Sequence, residues 1–197
     1  MISIYYAKWD GRNGSHELLR RAAADWCSAQ HPADMKGEVL CSYAPQEFLL
    51  ADTDHWQKPH FLYPPGVEFS ISHTGDLWMC AISRIPVGLD VQEERELARE
   101  KLSRRFFHPR EDAWLKAGDY RAFFEVWAAK ESFLKYTGDG LRRGMDTFCV
   151  VDENGFLPLV DGICQTRFCC DREKKIALCV SFQGDPGLEH IDFHRIL

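Results

Sequence analysis

In each half of the chain, strand-like and helix-like patterns occupy separate stretches, and this arrangement limits the folds that the chain can adopt. Residues 2–6 alternate between apolar and polar, residues 16–29 follow a helical period, and the runs VEFSISH, LWMCAIS and PVGLDVQ alternate again. Three helical patterns then lie between residues 93 and 137, followed by three strand-like runs. Segregation of this kind favours an α+β fold over a parallel α/β sheet.

A change in pattern near Ile85 and Pro86 predicts an N-terminal lobe of residues 1–86 and a C-terminal lobe of residues 87–197. Hydrophobic residues make up 45% of the 197 residues and aromatic residues 13%, which is enough for a substantial core. We therefore expect a folded, soluble protein.

Charge and composition exclude several classes of function. The net charge of -6 argues against a nucleic-acid partner, because such proteins present a basic surface. No apolar stretch approaches about 18 residues and the N-terminus has no leader pattern, so we expect no membrane span and a cytoplasmic location. The eight cysteines are scattered without a CxxC pair, which predicts reduced thiols in the core, and the eight histidines show no zinc-ligand spacing.

The stretch FFEVWAAKESFLKYTGDG, residues 123–140, predicts a helix with a carboxylate on its apolar side. At about 3.6 residues per turn, Phe123, Trp127, Glu131 and Leu134 fall on one stripe. Burying an unpaired carboxylate would cost several kcal/mol, so a lysine, a metal ion or a proton must compensate it. An i,i+4 ion pair with Lys135 on a solvated face is the simpler alternative.

A second acid lies in the run VGLDVQ. Period-two alternation places Val87 and Leu89 on one face of a strand and Gly88, Asp90 and Gln92 on the other, away from the core. Asp90 and Glu131 together would suit Mg²⁺, which prefers oxygen ligands and keeps sites for water or phosphate oxygens. Alone, Asp90 would more simply cap the next helix.

Three more polar residues lie where they could contact a phosphate, although each also has an ordinary explanation. His73 ends the strand SISH beside a turn, and Ser72 supplies a hydroxyl next to it. Lys58 lies in the proline-rich loop QKP. A histidine in a turn and a lysine in a loop are more often merely solvated.

Taken in order, the segments SISH, VGLDVQ and WAAKESFLKYTGDGL resemble the three signature regions of the 4′-phosphopantetheinyl transferases, in particular the single-chain, pseudo-dimeric Sfp-like class. The second and third segments resemble the patterns (V/I)G(V/I)D and W-x-x-KE-(S/A)-x-x-K of that family. The resemblance spans roughly residues 56–150.

The resemblance implies two pseudo-symmetric lobes, each a small antiparallel sheet packed with helices, with coenzyme A and Mg²⁺ in the cleft between them. It implies transfer of the 4′-phosphopantetheine arm of CoA to a serine of an acyl, peptidyl or aryl carrier protein, with release of adenosine 3′,5′-bisphosphate. A chain with both lobes is expected to be a monomer.

Residue roles follow from the same resemblance. Asp90, Glu131 and Gln92 would hold Mg²⁺, and Glu131 would also be the base for the carrier serine. His73 and Lys135 would contact the phosphates and belong to the catalytic set. Ser72, Lys58 and Lys130 would help to define the CoA pocket.

Two other functions remain open from the sequence. Gln92 stands where relatives often carry a second acid, so weaker metal binding could leave a non-catalytic protein that binds CoA or a carrier protein. A metal-dependent CoA pyrophosphate hydrolase is the other alternative.

The segment AREKLSRRFFHPR concentrates basic residues around Phe106 and Phe107. It predicts either a charged helix face with internal pairs such as Glu100 with Arg104, or a docking surface for an acidic carrier protein.

Overall fold

The computed structural model of the chain describes residues 1–11, 14–29, 44–51, 58–171, 173, 175–184 and 190–196. Twelve strands lie in this part of the chain: β1 (Ile2–Lys8), β2 (Leu49–Leu50), β3 (Phe61–Tyr63), β4 (Glu68–Thr74), β5 (Leu77–Ser83), β6 (Val87–Glu93), β7 (Val151–Asp152), β8 (Gly155–Phe156), β9 (Leu159–Val160), β10 (Ile163–Asp171), β11 (Ile176–Phe182) and β12 (Ile191–Arg195). The α-helices in it are α1 (Ser15–Ala29), α2 (Arg99–Phe106), α3 (Pro109–Ala117) and α4 (Phe123–Thr137). The α+β class predicted from the sequence is confirmed.

Two four-stranded sheets form the body of the molecule. The first has the order β12-β1-β5-β4 and the second β6-β11-β10-β9. Neighbouring strands in them are antiparallel, except that β12 runs parallel to β1. The predicted boundary at residue 86 falls between β5 and β6, which belong to different sheets, while β12 returns from the C-terminal end to the first sheet. The pseudo-symmetry of the lobes stays a prediction.

The sheets pack face to face, and each carries a helix on its outer side. Apolar residues from both sheets, such as Ile4 and Leu178, share one buried cluster between them. Residues of α1 and the first sheet form a second cluster, and residues of α4 and the second sheet form a third. Each sheet is therefore covered on both faces.

Hydroxyl groups join the two sheets at the edge where β4 meets β6. The side chains of Ser70, Ser72 and Thr74 accept hydrogen bonds from the backbone N–H groups of Leu89, Val91 and Glu93, at 2.9, 3.3 and 3.0 Å. Because these three side chains alternate along β4, they all face β6. The serines of the SISH segment thus hold the strand that carries Asp90.

Helix α4 is buried around most of its circumference, so the single apolar stripe predicted for it is wrong. Residues on every side of it are enclosed, including Phe124, Ala128 and Lys130. The helix backbone lies directly on β6 at Gly88, where an added Cβ would come within 2.0 Å of the carbonyl oxygen of Ser132. Only glycine permits this approach.

Helix α2 begins at Arg99, later than the helical pattern from residue 93 predicts. Sheet pairing continues instead, because β6 pairs with β11 as far as Glu93 and the N–H of Glu94 donates to the carbonyl of Lys175. Helices α1 and α3 lie where the sequence predicts them.

The cysteine prediction holds for part of the chain. Cys27, Cys80, Cys164 and Cys179 are buried, whereas Cys169 and Cys170 are exposed. Cys41, like the extended piece predicted from Glu38, lies outside the described residues. In the part of the chain that the structure describes, no helix has the length and apolarity needed to span a membrane.

Candidate active site

Asp90 lies at the centre of a polar group on the edge between β4, β6 and α4. Its Oδ1 accepts hydrogen bonds from Ser72 Oγ and from Lys135 Nζ, both at 2.7 Å, and its Oδ2 accepts one from Gln92 Nε2 at 2.8 Å. These contacts bring three of the predicted site residues onto one carboxylate.

The surroundings of Asp90 differ from the sequence prediction in one respect. The residue is only 3% exposed, because α4 covers the face of β6 that was expected to leave the core. The alternative that Asp90 caps the next helix is wrong, since α2 has Ala98 at its N-cap and no side-chain cap.

Lys135 reaches across from α4 to the strands. Its ammonium donates to Asp90 and also to the carbonyl of Ile71, at 3.2 Å. The simple i,i+4 ion pair with Glu131 is not formed, because Lys135 turns to Asp90 instead. About a third of the Lys135 side chain stays accessible, at 30%.

Glu131 stands beside this pair with its carboxylate unoccupied by protein donors. No hydrogen bond or ion pair reaches it from the residues that the structure describes. Its pKa is raised, first by burial and second by the charge of Asp90, while Lys135 acts in the opposite direction. The effect of Asp90 on Glu131 places the two carboxylates near one another, and their joint role in a metal site stays a prediction.

Lys58 and His73 lie next to this group without touching Asp90. Lys58 Nζ donates to the carbonyl of Val87 at 2.8 Å, and burial lowers the pKa of Lys58. His73 is exposed at the end of β4, where its ring packs edge-on against Trp9 with 4.8 Å between centroids. Since Ser72 and His73 are consecutive in a strand, their side chains leave it on opposite faces.

Lys130 does not join this site, in contrast to the sequence prediction. Its side chain has no accessible surface, and its Nζ lies 2.7 Å from each of three acceptors: Glu111 Oε2 and the carbonyls of Met145 and Phe148. An ammonium has only three donors, and all three are used inside the C-terminal core. This geometry argues against contact between Lys130 and a ligand.

Glu111 is the important residue that the sequence analysis missed. Besides Lys130, its carboxylate accepts hydrogen bonds from the N–H groups of His108 and Val150. The sequence does carry a signal for it, because His108 and Glu111 have the spacing of a capping box at the start of α3.

The oxygen atoms at this site suit a hard divalent cation that takes some of its ligands from the protein and the others from a substrate. Asp90 and Glu131 offer carboxylate oxygens and Gln92 an amide oxygen, which are ligands that Mg²⁺ accepts. No cluster of three or more His, Cys, Asp or Glu side chains that could hold a metal occurs among the described residues. A cation here would therefore need further oxygens from a bound molecule or from water.

The basic segment forms one of the internal ion pairs predicted for it, and its role as a docking surface stays a prediction. Arg104 pairs with Glu100 at 2.6 Å, as the charged-face alternative predicts. Arg105 lies over the ring of Phe106, which is 36% exposed, whereas Phe107 is buried. Arg105 and Phe106 thus remain available to a partner.

Comparison with known proteins places the chain in a family. The model of the 4′-phosphopantetheinyl transferase superfamily matches residues 86–182, which include Asp90, Glu131 and Lys135. A 4′-phosphopantetheinyl transferase of Bacillus subtilis is 35% identical over 207 residues, covering 98% of this chain and 85% of the relative. The transferase psf-1 of Bacillus pumilus is 32% identical over 173 residues, 79% of this chain and 73% of its own length. The transferase Sfp of Bacillus subtilis strain 168 is 34% identical over 102 residues, 50% of this chain and 45% of its own.

The chain therefore belongs to the 4′-phosphopantetheinyl transferase superfamily, and it is a transferase of that class.

Proposed function

We propose that the protein transfers the 4′-phosphopantetheine arm of coenzyme A to a serine of an apo carrier protein and releases adenosine 3′,5′-bisphosphate. One observation carries this proposal. The carboxylate of Glu131 has no donor among the described residues, and it lies near the Asp90–Lys135 pair at the edge between the two sheets. Family membership supplies the class of reaction, and this arrangement supplies groups suited to it.

The reaction replaces the phosphoanhydride bond of the CoA diphosphate by a phosphate ester bond to the serine. The serine oxygen forms a bond to the phosphorus that carries the pantetheine arm, and the P–O bond to the adenosine-side phosphate breaks. Glu131 accepts the serine proton, and the electron pair of the broken bond leaves on the bisphosphate. A base needs only to lie within hydrogen-bonding distance of the hydroxyl, which suits a carboxylate that no protein donor occupies.

The remaining groups bind and neutralise charge. Transfer of a phosphoryl group depends mainly on alignment and on compensation of negative charge. Lys135 is 30% accessible and Lys58 binds the Val87 carbonyl of the same strand as Asp90, so these two would contact phosphate oxygens. His73 leaves β4 on the opposite face from Ser72, and it would contact a phosphate that extends past the end of that strand. Ser72 holds Asp90 in place.

Mg²⁺ would be held by Asp90 and Glu131, with the Gln92 side chain turned so that its oxygen faces the ion. When bound, the ion would neutralise charge on the diphosphate and on the leaving phosphate. Because Gln92 is neutral, we expect a lower affinity for the ion than a third carboxylate would give.

The carrier protein would dock on the surface formed by Arg105 and Phe106. An exposed aromatic ring beside an arginine suits an acidic partner that presents an apolar contact. Both sheets come from a single chain, so we expect the monomer to be active.

Mass measurement of a carrier protein tests the proposal. Incubating the protein with an apo carrier, CoA and Mg²⁺ should raise the carrier mass by one phosphopantetheine, and Glu131→Gln should abolish the gain. An unchanged carrier with CoA bound would indicate a silent binding protein, and free 4′-phosphopantetheine formed without a carrier would indicate a hydrolase. Either outcome would overturn the proposal.

A further inference from the structure

A row of small and polar residues crosses the second sheet beneath α4. Gln165 of β10 pairs with Ser181 of β11, and Ser181 pairs with Gly88 of β6, so the three lie side by side on neighbouring strands. Ser132 of α4 rests on this row. Gln165, Ser181 and Ser132 are all buried. We call Gln165 and Ser181 the polar seat of α4.

The polar seat holds the backbone of the helix as well as its side chain. Gln165 Nε2 donates to the carbonyl of Ala129 at 2.7 Å and to Ser181 Oγ at 3.1 Å. Ser132 Oγ also donates to the Ala129 carbonyl, at 2.9 Å, and it lies 2.9 Å from Ser181 Oγ. Because the Ser132 hydroxyl donates to the Ala129 carbonyl, the Ser181 hydroxyl can donate to Ser132 Oγ. Each of the two hydroxyl hydrogens then makes one hydrogen bond. One turn of α4 is thus tied to two strands.

Stability alone does not explain these residues. Gln165 Oε1 is buried and accepts no hydrogen bond from the described residues. A buried polar group without a partner costs free energy, whereas an apolar side chain of the same length would avoid that cost. Apolar contacts, however, are non-directional and would tolerate a small slide of the helix. Hydrogen bonds to a backbone carbonyl would not, because they depend on distance and angle.

We propose that Gln165 and Ser181 are positioning residues, which fix α4 along its axis and so set Glu131 and Lys135 against Asp90. Ser132 directly follows Glu131 and precedes Lys135 by less than one turn, so the tied turn contains Glu131 and adjoins the turn that carries Lys135. The inference rests on the proposed function, in which Glu131 and Lys135 act on the substrate. A displacement of about 1 Å in such groups can cost roughly a hundredfold in rate.

Two substitutions remove the polar seat and keep the volume nearly constant. Gln165→Met keeps the length of the side chain without its donors, and Ser181→Ala removes one hydroxyl. Val180→Ala is the matched control, because Val180 neighbours Ser181 in the same strand but faces the core between the sheets. Ser181→Thr, which keeps the hydroxyl, should restore the wild-type behaviour.

We expect kcat for carrier modification to fall roughly tenfold in Gln165→Met and Ser181→Ala, with the KM for the carrier unchanged. Val180→Ala should lose thermal stability but keep its kcat at a temperature where it is folded. Equal kcat values in the seat variants and the control would overturn the inference. If Gln165→Met does not fold, Ser181→Ala gives the same test.

A second readout separates this inference from the proposed function. NMR distance restraints between α4 and β6 in the ligand-free protein report the position of the helix. The distances from the protons of Glu131 and Lys135 to those of Asp90 should change in the seat variants and not in Val180→Ala. Unchanged distances would overturn the inference even if the wild-type protein proved to transfer nothing.

Discussion

Lys130 and Lys135 lie five residues apart on α4 and form ion pairs of the same length, yet their surroundings differ. Lys130 pairs with Glu111 at 2.7 Å with both side chains fully enclosed, whereas Lys135 pairs with Asp90 at 2.7 Å with 30% of the lysine accessible. Two carbonyls take the other donors of Lys130. Among the residues that the structure describes, Lys135 has one other acceptor, the Ile71 carbonyl, which leaves one N–H for a ligand.

The distance between the two charged groups of an ion pair therefore does not reveal the role of the pair. What separates the two lysines is the remaining hydrogen-bonding capacity and access to solvent. Burial lowers the pKa of Lys130, and the charge of Glu111 acts in the opposite direction. We infer that the first pair holds the C-terminal core together and that the second serves the reaction.

The largest effect should come from breaking the enclosed pair. Lys130→Met leaves the Glu111 carboxylate buried without its cation, which should lower the free energy of unfolding by about 3–5 kcal/mol. Urea denaturation measures this loss. The double variant Lys130→Met/Glu111→Gln contains no unpaired charge and should recover a large part of it. A loss below about 1 kcal/mol in the single variant would show that the pair is not structural.

Breaking the accessible pair should affect catalysis instead. Lys135→Met removes a cation from the proposed phosphate site and should lower the transfer rate roughly 10²–10³-fold. The free energy of unfolding should fall by only about 1–2 kcal/mol, because Asp90 keeps Ser72 and Gln92 as donors. Rates come from the carrier mass assay, with Lys116→Met as control. A stability loss as large as that of Lys130→Met would contradict the distinction.

The pKa of Glu131 should respond in opposite directions to the removal of its two charged neighbours, Asp90 and Lys135. A base must be ionised, so the transfer rate of the wild type should rise with pH through the raised pKa of Glu131. Asp90→Asn removes the repulsion and should shift the Glu131 titration to lower pH. Lys135→Met removes the attraction and should shift it to higher pH. NMR of the ligand-free protein gives both shifts, and shifts of the same sign would refute the proposed geometry.

The smallest effect should come from the docking surface, away from both lysine pairs. Arg105→Glu should raise the KM for the carrier about fivefold, the scale of an exposed charge contact, and leave the KM for CoA unchanged. Arg105 is a sharper choice than Arg104, since Arg104 already pairs with Glu100. Lys116→Glu controls for the change in net charge. An unchanged KM for the carrier would show that the carrier does not dock on this surface.

Much of the site could be predicted from three short segments. Ser72, Asp90, Gln92, Glu131 and Lys135 all come from SISH, VGLDVQ and the α4 stretch, and the structure brings them together. The prediction that Asp90 leaves the core was wrong, because alternation shows which residues share a face but not what covers that face. The residues of the polar seat were not predicted, since Gln165 and Ser181 lie far from those segments.

The α+β class, the positions of α1, α3 and α4, and residue types suited to the proposed phosphate and metal site could all be predicted from the amino-acid sequence. These follow from period, capping and chemistry, which are local properties of the chain. Which lysine of α4 pairs inside the core and which pairs at the candidate site became clear only from the three-dimensional fold. Positions five residues apart on an α-helix are separated by about 140° around its axis, so the two ammonium groups leave α4 on different sides. Glu111 of α3 meets one side and Asp90 of β6 meets the other, and that choice depends on packing between distant parts of the chain.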